Sequence, residues 1–205
     1  MSNVIHESVR GIQTINLADA FLRDRKIFLV GEVNDESCNE LIRQLMYLEG
    51  EDNTCPVTLF INSPGGSVAS GLAVYDTIRL MKSPVRAVVT GIAASMGSII
   101  LLACEKENRL MLPFSSIMIH DCSWGSRNFG GYKPHEIEQE LNQLKKTNER
   151  LVRIIAERCG KTVGQVQKVT MRDSYFDAKE AIAFGLVSAV VDSDSFSRLT
   201  EKDTE

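Results

Sequence analysis

Short β-branched runs alternate with stretches of helical spacing along most of this chain, and that alternation limits the fold more than any other feature. Residues 26–30, 57–61 and 85–90 are rich in Val, Ile, Leu and Phe, as buried strands are. Each is followed by a helix-spaced segment: one capped at Asp35 or Ser37 and running to 49, one over 68–81, and one from 96 through Leu102. Parallel strands need a crossover of a dozen or more residues, and a helix is the usual crossover. The pattern predicts an α/β domain with a mostly parallel sheet.

Other signals fill in the chain. Residues 1–16 are polar and mixed, which predicts an arm or loop. A single domain is expected over 17–205. It starts with helical spacing at 18–25 and adds short strands at 109–112, 116–119 and 187–191. A glycine-containing loop is expected at 123–133. Thr162 caps a short helix, and Tyr175 and Phe176 precede another at 178–184. Pro134 opens a long charged helix that Gly160 closes. Its apolar stripe (Ile137, Leu141, Leu144, Leu151, Ile154, Ile155) is interrupted, which predicts that it projects partly away from the core toward a partner.

Composition narrows the class. A charged fraction of 24% and an apolar fraction of 43% over 205 residues are ordinary for a globular domain. Net charge is −4 and the isoelectric point about 5.5, which argues against nucleic acid or an anionic membrane as partner. The longest strongly apolar stretch, 99–104, is too short to span a bilayer. Met1 to Glu7 do not read as a signal peptide, so a cytoplasmic location is expected. Five scattered cysteines without a CxxC pair read as reduced thiols, mostly in the core.

The chemistry concentrates at three places. Ser95 lies in a small-residue turn, Gly91 to Gly97, between a strand run and a helix, where a serine hydroxyl is lifted out of the fold. Serine needs a base, usually histidine, and a carboxylate to orient that base. Of three histidines, His6 lies in the arm and His135 on the charged helix, leaving His120 at the end of the 116–119 strand. With Asp173, further along, as the carboxylate, the chain order would be serine, histidine, aspartate. Gly65 and Gly66 lie at a second strand-to-helix junction, where backbone N–H groups could join that of Met96 around an oxyanion. No phosphate-cradling glycine motif is present, and His120 with Cys122 has no companion pair to make a metal site, so neither cofactor nor metal is expected. Trp124 and Phe129 read equally as core anchors or as walls of a substrate groove.

Residues 60–68, 93–98 and 117–120, the pair Arg172-Asp173, and 178–181 through 185–187 together resemble the proteolytic subunit of Clp protease over nearly the whole length. The resemblance implies a crotonase-like α/β fold of that type, with a parallel sheet and the 134–159 helix as a projecting handle. It implies a self-compartmentalising serine endopeptidase that degrades unfolded polypeptides, with Ser95 as nucleophile, His120 as base, Asp173 as orienting carboxylate, and oxyanion donors at Gly66 and Met96. It further implies two stacked heptameric rings joined through the handles, residues 1–16 as an axial loop, and a hexameric AAA+ unfoldase that hydrolyses the ATP. The chain departs from the family pattern at Asp121-Cys122 after the histidine, at Met171 before Arg172, at Ser188, and along the arm. Those departures motivate an alternative, a catalytically weak structural or regulatory subunit of a ring shared with a second subunit of this type. A third reading, an acyl-CoA enzyme of related fold, is opposed by the serine, histidine and aspartate set.

Overall fold

The computed structural model describes residues 3–8, 11–125 and 129–200. Strands β1 (Asn3–Ser8) and β2 (Gly11–Asn16) pair as an antiparallel hairpin where the sequence reads as an arm or loop. A two-stranded hairpin has no core of its own and leaves little compositional trace. Helix α1 (Leu17–Arg23) leads into β3 (Lys26–Val33), α2 (Asp35–Glu51), β4 (Val57–Gly66), α3 (Val68–Leu80), β5 (Val85–Ala94) and α4 (Met96–Leu101). Short strands β6 (Arg109–Met111) and β7 (Ser116–Ile119) follow, then the long helix α5 (Pro134–Cys159) and α6 (Val163–Thr170). The chain continues through β8 (Ser174–Phe176), α7 (Ala178–Phe184), β9 (Ala189–Val190) and α8 (Ser193–Thr200).

The main sheet runs β3-β4-β5-β6-β9, all parallel, as the alternation predicts. Strand β5 has two neighbours on one edge. Residues 87–89 pair with β6, whereas 92–94 pair with β7. The sheet therefore forks, and the β7 branch lies beside the end of β5. Strand β4 is longer than its composition suggests and continues through Pro64 to Gly66 with a register shift against each neighbour. Bulges of this kind let a strand carry a proline that lacks an N–H.

One face of the sheet carries the main core. Helix α2 buries Cys38, Leu41, Leu45 and Leu48 on one stripe, in the same core cluster as Leu59 and Ile61 of β4 and Val89 of β5. Each fully buried leucine or isoleucine contributes about 1.5–3 kcal/mol of burial free energy. The N-cap of α2 is Asn34, ahead of both expected positions, Asp35 and Ser37. Its side chain accepts from the Ser37 N–H at 2.9 Å, and Ser37 Oγ accepts from the Asn34 N–H at 3.1 Å. On the other face Phe60, Val88, Val191 and Leu199 form a smaller cluster, closed by α8, which the apolar pattern of the sequence does not announce.

Two buried arginines staple the periphery. Arg25, with a left-handed φ of 53°, donates to the carbonyls of Leu48, Asp52, Cys55 and Pro56. Arg109 is 1% exposed and donates to the carbonyls of Arg158, Gly185 and Leu186.

All five cysteines are free thiols, with Cys38, Cys104 and Cys159 buried. Burial pushes the Cys104 thiol up to about 12 and Cys159 up to about 11. Thiolate is the reactive form, so these two stay protonated at neutral pH. Iodoacetamide added to the native protein should alkylate at most Cys55 and Cys122, with the other three reacting only after denaturation. Intact-mass spectrometry reads the count, and rapid alkylation of Cys104 in the native state would contradict this packing.

Candidate active site

Ser95 joins β5 to α4 with φ 51° and ψ −120°, a conformation that non-glycine residues rarely adopt. Such a residue costs about 1–3 kcal/mol and persists only where its surroundings over-determine it. Here the Ser95 N–H donates to the Met118 carbonyl at 2.9 Å, while the Ser95 carbonyl accepts from the Ser98 hydroxyl at 2.6 Å and the Ser98 N–H at 3.0 Å. The constraint comes from the fork of the sheet: β7 lies beside the last residues of β5 and ends one residue before His120.

The third member arrives by a short strand that is hard to read from sequence. Strand β8 pairs antiparallel with β7, Ile119 opposite Ser174, so the next position on each strand brings His120 and Asp173 together. The Asp121 N–H donates to the Thr170 carbonyl at 2.7 Å and fastens the same corner. The result is a continuous relay. His120 Nε2 lies 2.9 Å from Ser95 Oγ, and His120 Nδ1 lies 3.1 Å from Asp173 Oδ1. A carboxylate only accepts, so Nδ1 carries the proton and Nε2 is left to accept from the serine.

The double-glycine turn closes against this serine. A Cβ on Gly65 would lie 2.7 Å from both the Ala94 carbonyl oxygen and Ser95 Cβ, and 2.9 Å from the Met96 nitrogen. A Cβ on Gly66 would lie 2.3 Å from the Val33 carbonyl oxygen. Both positions have positive φ, 92° and 148°. Only glycine lets the backbone approach this closely. The Gly65 N–H donates to Ser63 Oγ at 3.1 Å.

Beside Ser95 lies a small cavity lined by Ser95, Ser98 and His120 together with apolar residues that include Val68, Met96, Ile99, Cys122, Leu151 and Ile155. Cys122, two residues after His120, reads in the sequence as a side chain that tunes the site; apart from it and Met96, none of these apolar residues reads as a site residue, because they come from three separate helices. The i, i+4 spacing of Leu151 and Ile155 is the one local hint that they share a face of α5. A larger groove of about 580 Å³ is lined by Val4, Phe21, Phe28, Phe60, Leu112 and Phe196 among others, and contains none of the serine, histidine and aspartate set. His135 is exposed on α5, away from the relay. Trp124 and Phe129 pack edge-to-face on each other at 4.6 Å and lie outside the core clusters.

The family model described as Clp protease matches residues 9–194 of the chain. The chain belongs to the Clp protease family. Relatives named ATP-dependent Clp protease proteolytic subunit are similar over almost their entire length. That of Streptococcus mutans serotype c is 40% identical over 190 residues, covering 93% of this chain and 96% of its own. That of Streptococcus uberis is 38% identical with the same coverage, and that of Streptococcus equi subsp. equi 37% identical over 194 residues, 95% and 98%. Against this Clp protease background, all but the first two residues of α8 lie beyond the matched segment. Among the described residues, no helix is long and apolar enough to cross a membrane.

Proposed function

We propose that this protein is a serine endopeptidase in which Ser95 attacks the peptide carbonyl, His120 takes its proton, and Asp173 orients the imidazole. The observation that carries the reading is the relay from Ser95 through His120 to Asp173, built on a strained turn within one chain. As Ser95 Oγ adds to the carbonyl carbon, its proton passes to His120 Nε2, and Asp173 stabilises the imidazolium. The oxyanion falls to the amides of Gly66 and Met96, each such donor being worth roughly 3 kcal/mol in the transition state. His120 then protonates the leaving amine, and a water repeats the sequence on the acyl-enzyme.

The relatives' names carry "ATP-dependent", and in this reading the ATP is spent by a hexameric AAA+ partner that feeds unfolded polypeptide to the chain. Residues 17–205 act as one peptidase domain, and the hairpin within residues 1–16 is the axial element. Helix α5 buries side chains only from Leu151 onward and leaves its first four turns largely exposed. That exposed, amphipathic half supports its role as the handle joining two heptameric rings into a chamber of fourteen subunits. An enclosed chamber keeps an unselective site away from folded protein. The aligned relay favours an active subunit over a catalytically weak member of a mixed ring.

The test is hydrolysis of short fluorogenic peptides by the purified assembly, unaltered and as His120→Ala. His120 accepts the serine proton in this reading, so its removal should cut the rate by several orders of magnitude. Undiminished activity in His120→Ala would overturn the assignment of the base.

A further inference from the structure

We infer that Asn148, on helix α5, is a positioning residue for His120: its side-chain oxygen clasps Cys122 and so fixes the backbone that carries the imidazole. The inference rests on the peptidase reading of Ser95, His120 and Asp173.

His120 is aimed from its main chain. The pairing of β7 with β8 ends at Ile119 and Ser174, so His120 and the residues after it have left the sheet. The carboxylate does not hold the ring by itself. The His120 side chain is 25% exposed and that of Asp173 61%, and a charged contact so open to water contributes little. The course of the backbone just after His120 therefore decides where the ring points. A displacement of about 1 Å at a reacting group can cost a hundredfold in rate.

Two ties from two different helices fix that course. The Asp121 N–H donates to the carbonyl of Thr170, the last residue of α6, at 2.7 Å. The Cys122 N–H donates to Asn148 Oδ1 at 3.1 Å. Cys122 Sγ lies 3.5 Å from the same Oδ1 and 3.7 Å from the Leu144 carbonyl oxygen, one turn earlier on α5, so the thiol adds a weaker second donor. Between the two ties, Asp121 Oδ1 is buried with no hydrogen-bond partner among the described residues. Such a placement is unfavourable and persists only where surrounding contacts enforce it.

Asn148 is well placed to enforce it. Leu151 and Ile155 follow at i+3 and i+7 on the same face of α5, and they are 7% and 2% exposed. The half-buried Asn148 thus stands about one turn before the packed part of the helix. Asparagine is a weak helix former, because its side chain competes for nearby backbone groups. In the middle of α5 it reaches instead to a segment 26 residues away.

The test follows labelling of Ser95 by a small fluorophosphonate on the intact protein, with intact mass giving both the rate and the final number of adducts per chain. His120 takes the serine proton in that reaction too, so its aim sets the rate. Asn148→Leu removes the acceptor oxygen, and should slow labelling by about 10–100-fold while still reaching one adduct per chain. For a short fluorogenic peptide, kcat should fall by the same factor with KM within about twofold. Asn148→Asp keeps an oxygen in place of Oδ1, and should restore the rate to within about threefold of the unaltered protein. A merely structural contact would lower the final adduct count and leave the rate, and that result would overturn the positioning role. Asn148→Leu labelling at the unaltered rate, or Asn148→Asp as slow as Asn148→Leu, would overturn it as well. Should Asn148→Leu fail to assemble, Asn148→Ala removes the same oxygen without added bulk and decides by the same criteria. Unaltered protein that takes up no label would overturn the peptidase reading, and this inference with it.

Discussion

Ser95→Ala is expected to abolish peptide hydrolysis while leaving the fold in place. Removing the nucleophile from a serine, histidine and carboxylate relay costs on the order of 10⁶-fold in kcat, because the members act as a unit. Alanine keeps the Cβ, so the left-handed turn at φ 51° stays equally strained. Only the hydroxyl contact with His120 Nε2 is lost, and one partly exposed hydrogen bond is worth about 1 kcal/mol. Thermal unfolding should therefore shift by no more than a few degrees. Side-by-side peptide assays and melting curves check both halves. Appreciable hydrolysis remaining in a folded Ser95→Ala protein would sink the proposed chemistry.

Arg109→Met is expected to do the reverse, weakening the fold with the relay untouched. Arg109 sits on β6 with its guanidinium inside the protein, and burial depresses its pKa. It is the donor for three carbonyls: Arg158 at 3.0 Å, near the end of α5, and Gly185 and Leu186 at 3.2 and 3.3 Å, just after α7. Methionine fills much of the same volume but leaves those acceptors without a donor. Each buried polar group stranded in this way costs about 1–3 kcal/mol. Allowing for local relaxation, a loss of roughly 3 kcal/mol is expected, which for a domain of this size lowers the melting temperature by roughly 6–12 °C. Calorimetry on the assembled protein measures it. A melting temperature within 2–3 °C of the unaltered protein (about 1 kcal/mol) would show that water replaces the arginine at no great penalty.

The sheet and the turn that carries Ser95 were legible in the sequence for simple reasons. Buried parallel strands must be short and β-branched, and their crossovers must be helical, so Val57 to Ile61 and Val85 to Thr90 declare themselves. Three histidines made His120 a matter of elimination, and the double glycine at 65–66 marks a place where backbone comes close to something. What stayed hidden depends on distant pairing. Strand β8 is three residues long, too short for any period, yet it is what sets Asp173 opposite His120. The fork in β5 exists only because β6 and β7 compete for one edge. Nothing in the sequence marks Arg25 and Arg109 for burial, since charged side chains are mostly exposed, and only tertiary structure supplies the clustered carbonyls that let them be buried. The apolar residues that wall the cavity beside Ser95 look like core from sequence, and most of them are core residues that also border Ser95.

The central claim is that Ser95 is an activated nucleophile in an assembled site. Its most direct test is reaction of the purified protein with a small fluorophosphonate, followed by intact mass and peptide mapping. One adduct per chain, mapped to Ser95 and lost in His120→Ala, is the predicted result. A folded protein that takes up no label, or takes it up at another residue, would contradict the account.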